Sequence, residues 1–307
     1  MRAAVAQQSA ASTAWITASV APRRASAAQT PASQWLIERQ NPPGNYREPQ
    51  DAEPRRGIAE PVINKSTFTR SFPLTAKYDA QWILDNALGE NALCQAECLA
   101  RHLSFEPGMR VLDLGCGKAT GSIFLAREFG VEVWALDAAT CPTDNQVRVV
   151  GFGCEGKVFP LRIDARALPF PKSFFDAVIA VDSFLYFGTD DHYLPYLAEF
   201  IKPGGAIGVV DMAFTREIES LEDAPDFLPT QSQHWGHVHT VEWWKRHWAK
   251  TGLVDLEWAE ILPESKELLR MYVDERPLMR EADSIMRAVP LDRHGLIALF
   301  CLVARKR

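Results

Sequence analysis

The chain has 307 residues, 47% of them hydrophobic, which is enough for a substantial core, and its 33 basic against 39 acidic side chains give a net charge of −6. That balance argues against a broad phosphate-binding face, so nucleic acid is not an expected partner. Six cysteines without a CxxC pair suit reduced thiols inside a cell, and no apolar run reaches the ~20 residues of a membrane span.

Residues 1–65 read as a tail and residues 66–307 as one domain. The first 37 residues carry no acidic side chain, while alanine and serine abound and Arg2, Arg23 and Arg24 supply positive charge. Such a composition suits an organellar transit peptide and also an unstructured leader. Its arginines mark out no basic helical face, which favours the leader and a cytoplasmic protein. The stretch "NPPGNYREPQDAEPRRG" continues rich in proline and charge.

Beyond the tail, "TAKYDAQWILDNALGENALCQAECLARHL" spaces its apolar residues for two short helices. Cys94 and Cys98 lie one turn apart there and read as core thiols, since two further metal ligands are missing. "RVLDL" then predicts a buried strand, "TGSIFLAREFG" a helix closed by Gly130, and "VEVWALD" a second strand. A helix over "DNQVRVVGFG", strands "KVFPLRID" and "FFDAVIAVD", a helix "HYLPYLAEFI", a turn "KPGG" and a strand "AIGVVDM" follow. This alternation predicts a doubly wound α/β fold with a parallel sheet covered on both faces. Residues 212–238 read as an irregular insertion, "TVEWWKRHWAKTG" as a helix capped by Thr240 and stopped at Gly252, and "LVDLEWAEI" as a strand with Val254, Leu256 and Trp258 on one face. A charged helical excursion over 263–289 precedes the last strand. Long connections of this kind shape or cover a site as lids.

The chemistry points to "VLDLGCGKATGS". Gly115 and Gly117 allow a sharp turn and a close approach to a ligand, with Cys116 between them as a small filler. Asp137 closes the second strand 20 positions after Gly117, where a carboxylate accepts from ribose hydroxyls. The spacing Gly115, Gly117, Gly121 is GxGxxxG, one residue longer than the dinucleotide fingerprint. Asp113, expected to face the loop, would repel a pyrophosphate and favour a ligand ammonium group. A nucleoside carrying a cationic amino acid describes S-adenosylmethionine.

From about Thr67 onward the chain resembles the class I S-adenosylmethionine-dependent methyltransferases. The matching segments are "VLDLGCG", Asp137, "DARALPF", "FFDAVIAVDSFLYF" and "IKPGG", five in order. The resemblance implies a Rossmann-like, mostly parallel sheet of seven strands with the last strand antiparallel. It implies Gly115 and Gly117 along the methionine part of the donor, Asp137 at the ribose, Asp164 and Ala165 at the adenine edge, and Asp182 facing donor and acceptor. By the same resemblance Tyr78 is expected to close over the donor. Asp176 reads as a structural cap.

For the acceptor, four of seven histidines and five of nine tryptophans fall between His234 and Trp258. Trp244, His247 and Trp248 share a helical face and read as packing. His234, His237 and His239 precede that helix and are, with Asp182 and Tyr186, the candidates for a base or for acceptor binding. HxxHxH matches no zinc pattern, so no metal is expected. The absence of an Asn/Asp-Pro-Pro-Tyr signature after the fourth strand disfavours nucleic-acid bases and leaves a small molecule as the expected acceptor. Two other readings are a nicotinamide-dependent oxidoreductase and a catalytically silent binder of the donor.

Overall fold

A computed structural model describes residues 65–89, 91–220, 222–228, 233–275 and 287–307. The tail assigned to 1–65 lies outside the described residues but for Lys65. So do residues 276–286 of the charged excursion, whose first part forms a helix, Ser265–Glu275.

Seven strands form one sheet: β1 Arg110–Leu114, β2 Glu132–Asp137, β3 Val158–Arg162, β4 Phe175–Val181, β5 Ile201–Phe214, β6 Val254–Ile261 and β7 Ile297–Lys306. Their order is β3-β2-β1-β4-β5-β7-β6, parallel from β3 to β5, with β7 antiparallel to both β5 and β6. The expected seven-stranded, mostly parallel sheet is therefore present. In chain order the helices are α1 Lys65–Ser71, α2 Ala80–Asn86, α3 Ala92–Ala100, α4 Thr120–Phe129, α5 Pro142–Gly151, α6 Tyr193–Ala198, α7 Val241–Ala249 and α8 Ser265–Glu275.

Parallel strands need helical crossovers, and these cover both faces, so the central strands are apolar almost throughout. Along β4, Ala177 and Ile179 enter one core with Val111, Leu99 and Phe124, while Val178 and Ala180 enter the other with Leu112, Leu194 and Trp248. The strand order reverses between β1 and β4, the switch point at whose strand carboxyl ends open α/β sheets bind ligands.

Two local features differ from a regular reading. The turn "KPGG" lies inside β5 as a bulge: opposite Phe175 and Ala177, the partners jump from Ile201 to Ala206. Asp176 anchors it, accepting from Lys202 Nζ at 2.5 Å and from the Arg110 N–H at 2.8 Å, the structural cap expected of it. In β6 a second register shift between Leu256 and Trp258 breaks the expected alternation. Ala259 follows Leu256 inward, and Trp258 is left at the surface, stacked on His102 with ring centroids 4.3 Å apart.

Candidate active site

β1 ends at Leu114 and the chain turns at once. Gly115 (φ 74°) and Gly117 (φ 53°) occupy the left-handed region, which costs other residues about 1–2 kcal/mol. A Cβ on Gly115 would also come within 2.5 Å of the Ser183 Cβ. The N–H groups of Gly115 and Cys116 both donate to the Leu136 carbonyl at 2.8 Å, and that of Gly117 donates to Asp137 Oδ2 at 3.0 Å. The turn is thereby tied to the end of β2.

Asp137 Oδ1 also accepts from Ala139 and Thr140 N–H groups, at 2.8 and 2.7 Å. Three of roughly four acceptor sites on the carboxylate are engaged, which leaves capacity for one ligand hydroxyl where the sequence suggested two.

Asp113 sits elsewhere than expected. It is buried beneath the loop, accepts from Ser122 Oγ at 2.5 Å, and is turned toward α4. Burial pushes its carboxyl up to about 7, with the negative Asp137 adding to the shift and Ser122 opposing it. Burial, with Asp113 and Asp137 nearby, also holds the Cys116 thiol well above its ordinary range, so Cys116 is a filler and no nucleophile.

Asp182 follows β4 in the left-handed region (φ 52°), its N–H donating to the Val210 carbonyl at 2.9 Å. Its carboxylate lies against Gly89, where a Cβ would fall 1.5 Å from Oδ2. Leu88 lies across Gly117, 3.0 Å from where that residue's Cβ would be. The segment after α2 is thus a strap over the turn. Lys118 Nζ donates to the Asp85 carbonyl at 2.9 Å. Asn145 Nδ2 donates to the Gly117 carbonyl at 2.8 Å, Arg148 Nη1 to Asn145 Oδ1 at 2.9 Å, and Arg148 Nε to Asn86 Oδ1 at 2.6 Å. Leu88 remains 37% exposed, so it covers the turn without being part of the core.

Leu88 and Gly89, rather than Tyr78, are the residues that lie against the turn and Asp182. Tyr78 is buried at the far end of α4, its hydroxyl donating to Glu128 Oε1 at 3.2 Å and its ring packed among Trp82, Phe124 and Phe152. Apolar spacing places it in the core; nothing in the sequence separated lid from core at that position.

Asp164 and Ala165 follow β3 beside the end of β2, where the Ile163 N–H donates to the Asp137 carbonyl at 3.2 Å. Hydrogen bonds from Arg166 hold Asp164 below the usual carboxylate range, and the Ala165 carbonyl accepts from the Tyr193 hydroxyl at 3.2 Å. Tyr186 lies half-buried in the 3-10 turn Phe184–Tyr186. That turn is fixed by two residues the sequence reading missed. Ser183 Oγ donates to the Leu114 carbonyl at 2.6 Å, and Asp211 Oδ2 accepts from the Leu185 N–H at 3.1 Å. A carboxylate inside the apolar run "AIGVVDM" was the available signal, since a buried charge requires partners.

The histidines divide. Trp244, His247 and Trp248 are buried on one face of α7, as their spacing indicated, and His247 Nε2 meets the Gly188 carbonyl at 3.0 Å. Thr240 caps the helix through the Trp243 N–H. His237 Nδ1 meets Thr189 Oγ1 at 3.3 Å. His234 belongs to the 3-10 turn Gln233–His237, and its side chain lies outside the described residues. His239 Nδ1 meets Glu217 Oε1 at 2.6 Å, and its ring stacks on Trp243 at 3.9 Å and 8°. Glu217 Oε2 accepts from Thr240 N–H and Oγ1 at 3.1 and 2.9 Å. Burial alone would raise Glu217, but its bonds from His239 and Thr240 outweigh that and keep it ionised. Among the described residues, no group of three or more His, Cys, Asp or Glu is arranged to hold a metal, and no helix is long and apolar enough to cross a membrane.

Residues 111–205 match the family model described as a methyltransferase domain. The ubiquinone/menaquinone biosynthesis C-methyltransferase UbiE of Bordetella avium is 30% identical over 225 residues, covering 72% of this chain and 77% of that protein. The methyltransferase GfsG of Streptomyces halstedii is 28% identical over 142 residues, 45% of this chain and half of the relative's length. In fold, the crystal structure of the cyclase SpnF superposes with a TM-score of 0.59 at 18% identity, covering 82% of this chain and 99% of that one.

Proposed function

The chain belongs to the class I S-adenosylmethionine-dependent methyltransferases, and from that premise we propose that it moves a methyl group from S-adenosylmethionine onto a small, mainly apolar acceptor, a specialised metabolite or lipid-like compound. The residues present fit that donor. Two left-handed glycines bring backbone close to the ligand, Asp137 retains one acceptor site at the end of β2, and Asp182 adds a carboxylate after β4. When bound, the donor supplies a methyl group already made electrophilic by its sulfonium.

The chain's own residues then have three tasks. Asp137 holds a ribose hydroxyl, and Asp164 with Ala165 borders the adenine. Asp182 places negative charge near the sulfonium. Leu88 and Gly89, latched through Lys118 and Arg148, exclude water and hold the reactants in line, the main contribution a protein makes to this reaction. The observation that carries this reading is Asp137, whose carboxylate joins the glycine turn to the end of β2 and still has a free acceptor site.

Because the fold is shared with a cyclase, binding and turnover need separate tests. Thermal-shift measurements with S-adenosylhomocysteine and with NAD, on wild type and on Gly115→Arg, test binding. Stabilisation of wild type by S-adenosylhomocysteine, lost in the variant, is expected; stabilisation by NAD alone overturns the reading. Passage of radiolabelled methyl from S-adenosylmethionine into organic-extractable product separates an enzyme from a silent binder.

A further inference from the structure

The turn after β3 is held from two sides. The Ile163 N–H donates to the Asp137 carbonyl, and Asp164 comes two residues after Arg162, the register partner of Asp137, so a nucleoside held by its ribose at Asp137 can carry its base toward Asp164. From the core side the backbone is tied down: the Ala165 carbonyl accepts from the Tyr193 hydroxyl at 3.2 Å, the Leu168 N–H donates to the Tyr196 hydroxyl at 2.5 Å, and the Ala167 N–H donates to the Asp164 carbonyl at 2.9 Å. These bonds use no side-chain atom of Asp164 or Arg166.

Arg166 fastens the Asp164 carboxylate separately. Asp164 Oδ1 accepts from the Arg166 N–H and from Nε, both at 2.9 Å, and Oδ2 accepts from Nη2 at 2.7 Å. With both oxygens engaged by one planar fork, the carboxylate cannot turn about its own axis. Three of roughly four acceptor sites are taken, and the one left is on Oδ2. An ion pair whose members are each 42% exposed adds little to stability, so what the fork supplies is chiefly direction.

A single acceptor of fixed direction selects its partner. It receives a donor, such as the exocyclic amine of adenine, and repels an oxygen in the same place, as in hypoxanthine. A carboxylate free to rotate would relax that choice, because water could bridge it to either group.

We propose that Arg166 is a positioning residue for the donor's base: it acts through Asp164, aiming that carboxylate's one open acceptor at the exocyclic amine of the adenine. This rests on the methyl-transfer reading, in which Asp164 borders the adenine, and adds what makes that border selective for an adenosyl donor.

The test titrates the full chain calorimetrically with S-adenosylhomocysteine and with S-inosylhomocysteine, in which oxygen replaces the amine of the base. Wild type should prefer the adenosyl ligand about 30-fold, within the range of a hydrogen bond to a charged group. In Arg166→Met the preference should fall below about fivefold, with the melting temperature within about 1 °C of wild type because the bonds to Tyr193 and Tyr196 remain. Arg166→Lys keeps the charge without the fork and should lose the preference likewise. Since the ratio is taken within one variant, a general loss of affinity cancels. An unchanged preference in either variant overturns the assignment, as does tighter binding of both ligands to Arg166→Met, the result expected of a plug. Equal affinity of wild type for the two ligands overturns it too. Failure of wild type to bind either ligand counts instead against the donor reading on which the proposal stands.

Discussion

The glycine turn and the outer end of β5 are built in opposite ways. Around the glycine turn, polar groups are paired within the protein: the Leu136 carbonyl and the Asp137 carboxylate receive five N–H bonds at the end of β2, and Asn145 and Arg148 carry the network to the strap. At the outer end of β5 the surfaces are aromatic stacks, with one Glu217–His239 pair. A pre-formed polar frame suits a ligand that never varies, and apolar walls with few polar groups suit a partner chosen by shape and one or two hydrogen bonds. The frame is accordingly where substitutions should cost stability, and the outer end where they should change what binds.

Gly115→Ala should break the frame most severely. Left-handed strain combines with a 2.5 Å approach to the Ser183 Cβ, and chemical denaturation should register a loss of about 3 kcal/mol. A loss below about 1 kcal/mol would show that the turn is looser than its geometry.

Next in size is an effect of pH. Folded Asp113 keeps its proton up to about 7, whereas an unfolded aspartate loses it near 3.9. Between those values the folded state binds more protons, so the contribution of Asp113 to stability falls as pH rises. Relative to Asp113→Asn, wild type should lose roughly 2–3 kcal/mol from pH 4 to 7. Parallel stability curves would mean that Asp113 is ionised.

Thr240→Ala should cost about 1–2 kcal/mol by removing the cap of α7 and a bond to Glu217, while leaving S-adenosylhomocysteine affinity unchanged. Smallest in stability is Lys118→Met, which removes one latch of the strap. A melting temperature within about 1 °C of wild type, with S-adenosylhomocysteine leaving a few times faster in stopped-flow, is expected; an unchanged off-rate would separate the strap from the donor site.

The same division explains what could be read from the sequence. Gly115, Gly117 and Asp137 are local to strand ends and could be read from spacing, Asp182 only through the family resemblance, and the alternation of strands and helices gave the sheet. Asp113 and Tyr78 were misplaced because the direction of a side chain at a strand end or helix start depends on packing. Here Ser122 captures Asp113, and Glu128 with Phe124 and Phe152 captures Tyr78. Glu217 was invisible because its meaning comes from His239, 22 residues away, and neither lies in a periodic element. Trp258 was assigned to the wrong face because a bulge leaves no mark in an alternating pattern.

The central claim is that Asp137 holds the ribose of an S-adenosyl nucleoside above the glycine turn. Calorimetric titration of S-adenosylhomocysteine into wild type and Asp137→Ala tests it most directly. One site per chain is expected, with affinity about 100-fold weaker in the variant, the equivalent of ~2.7 kcal/mol for a hydrogen bond to a charged group. Equal affinity in the two proteins, or no binding to wild type, would contradict it.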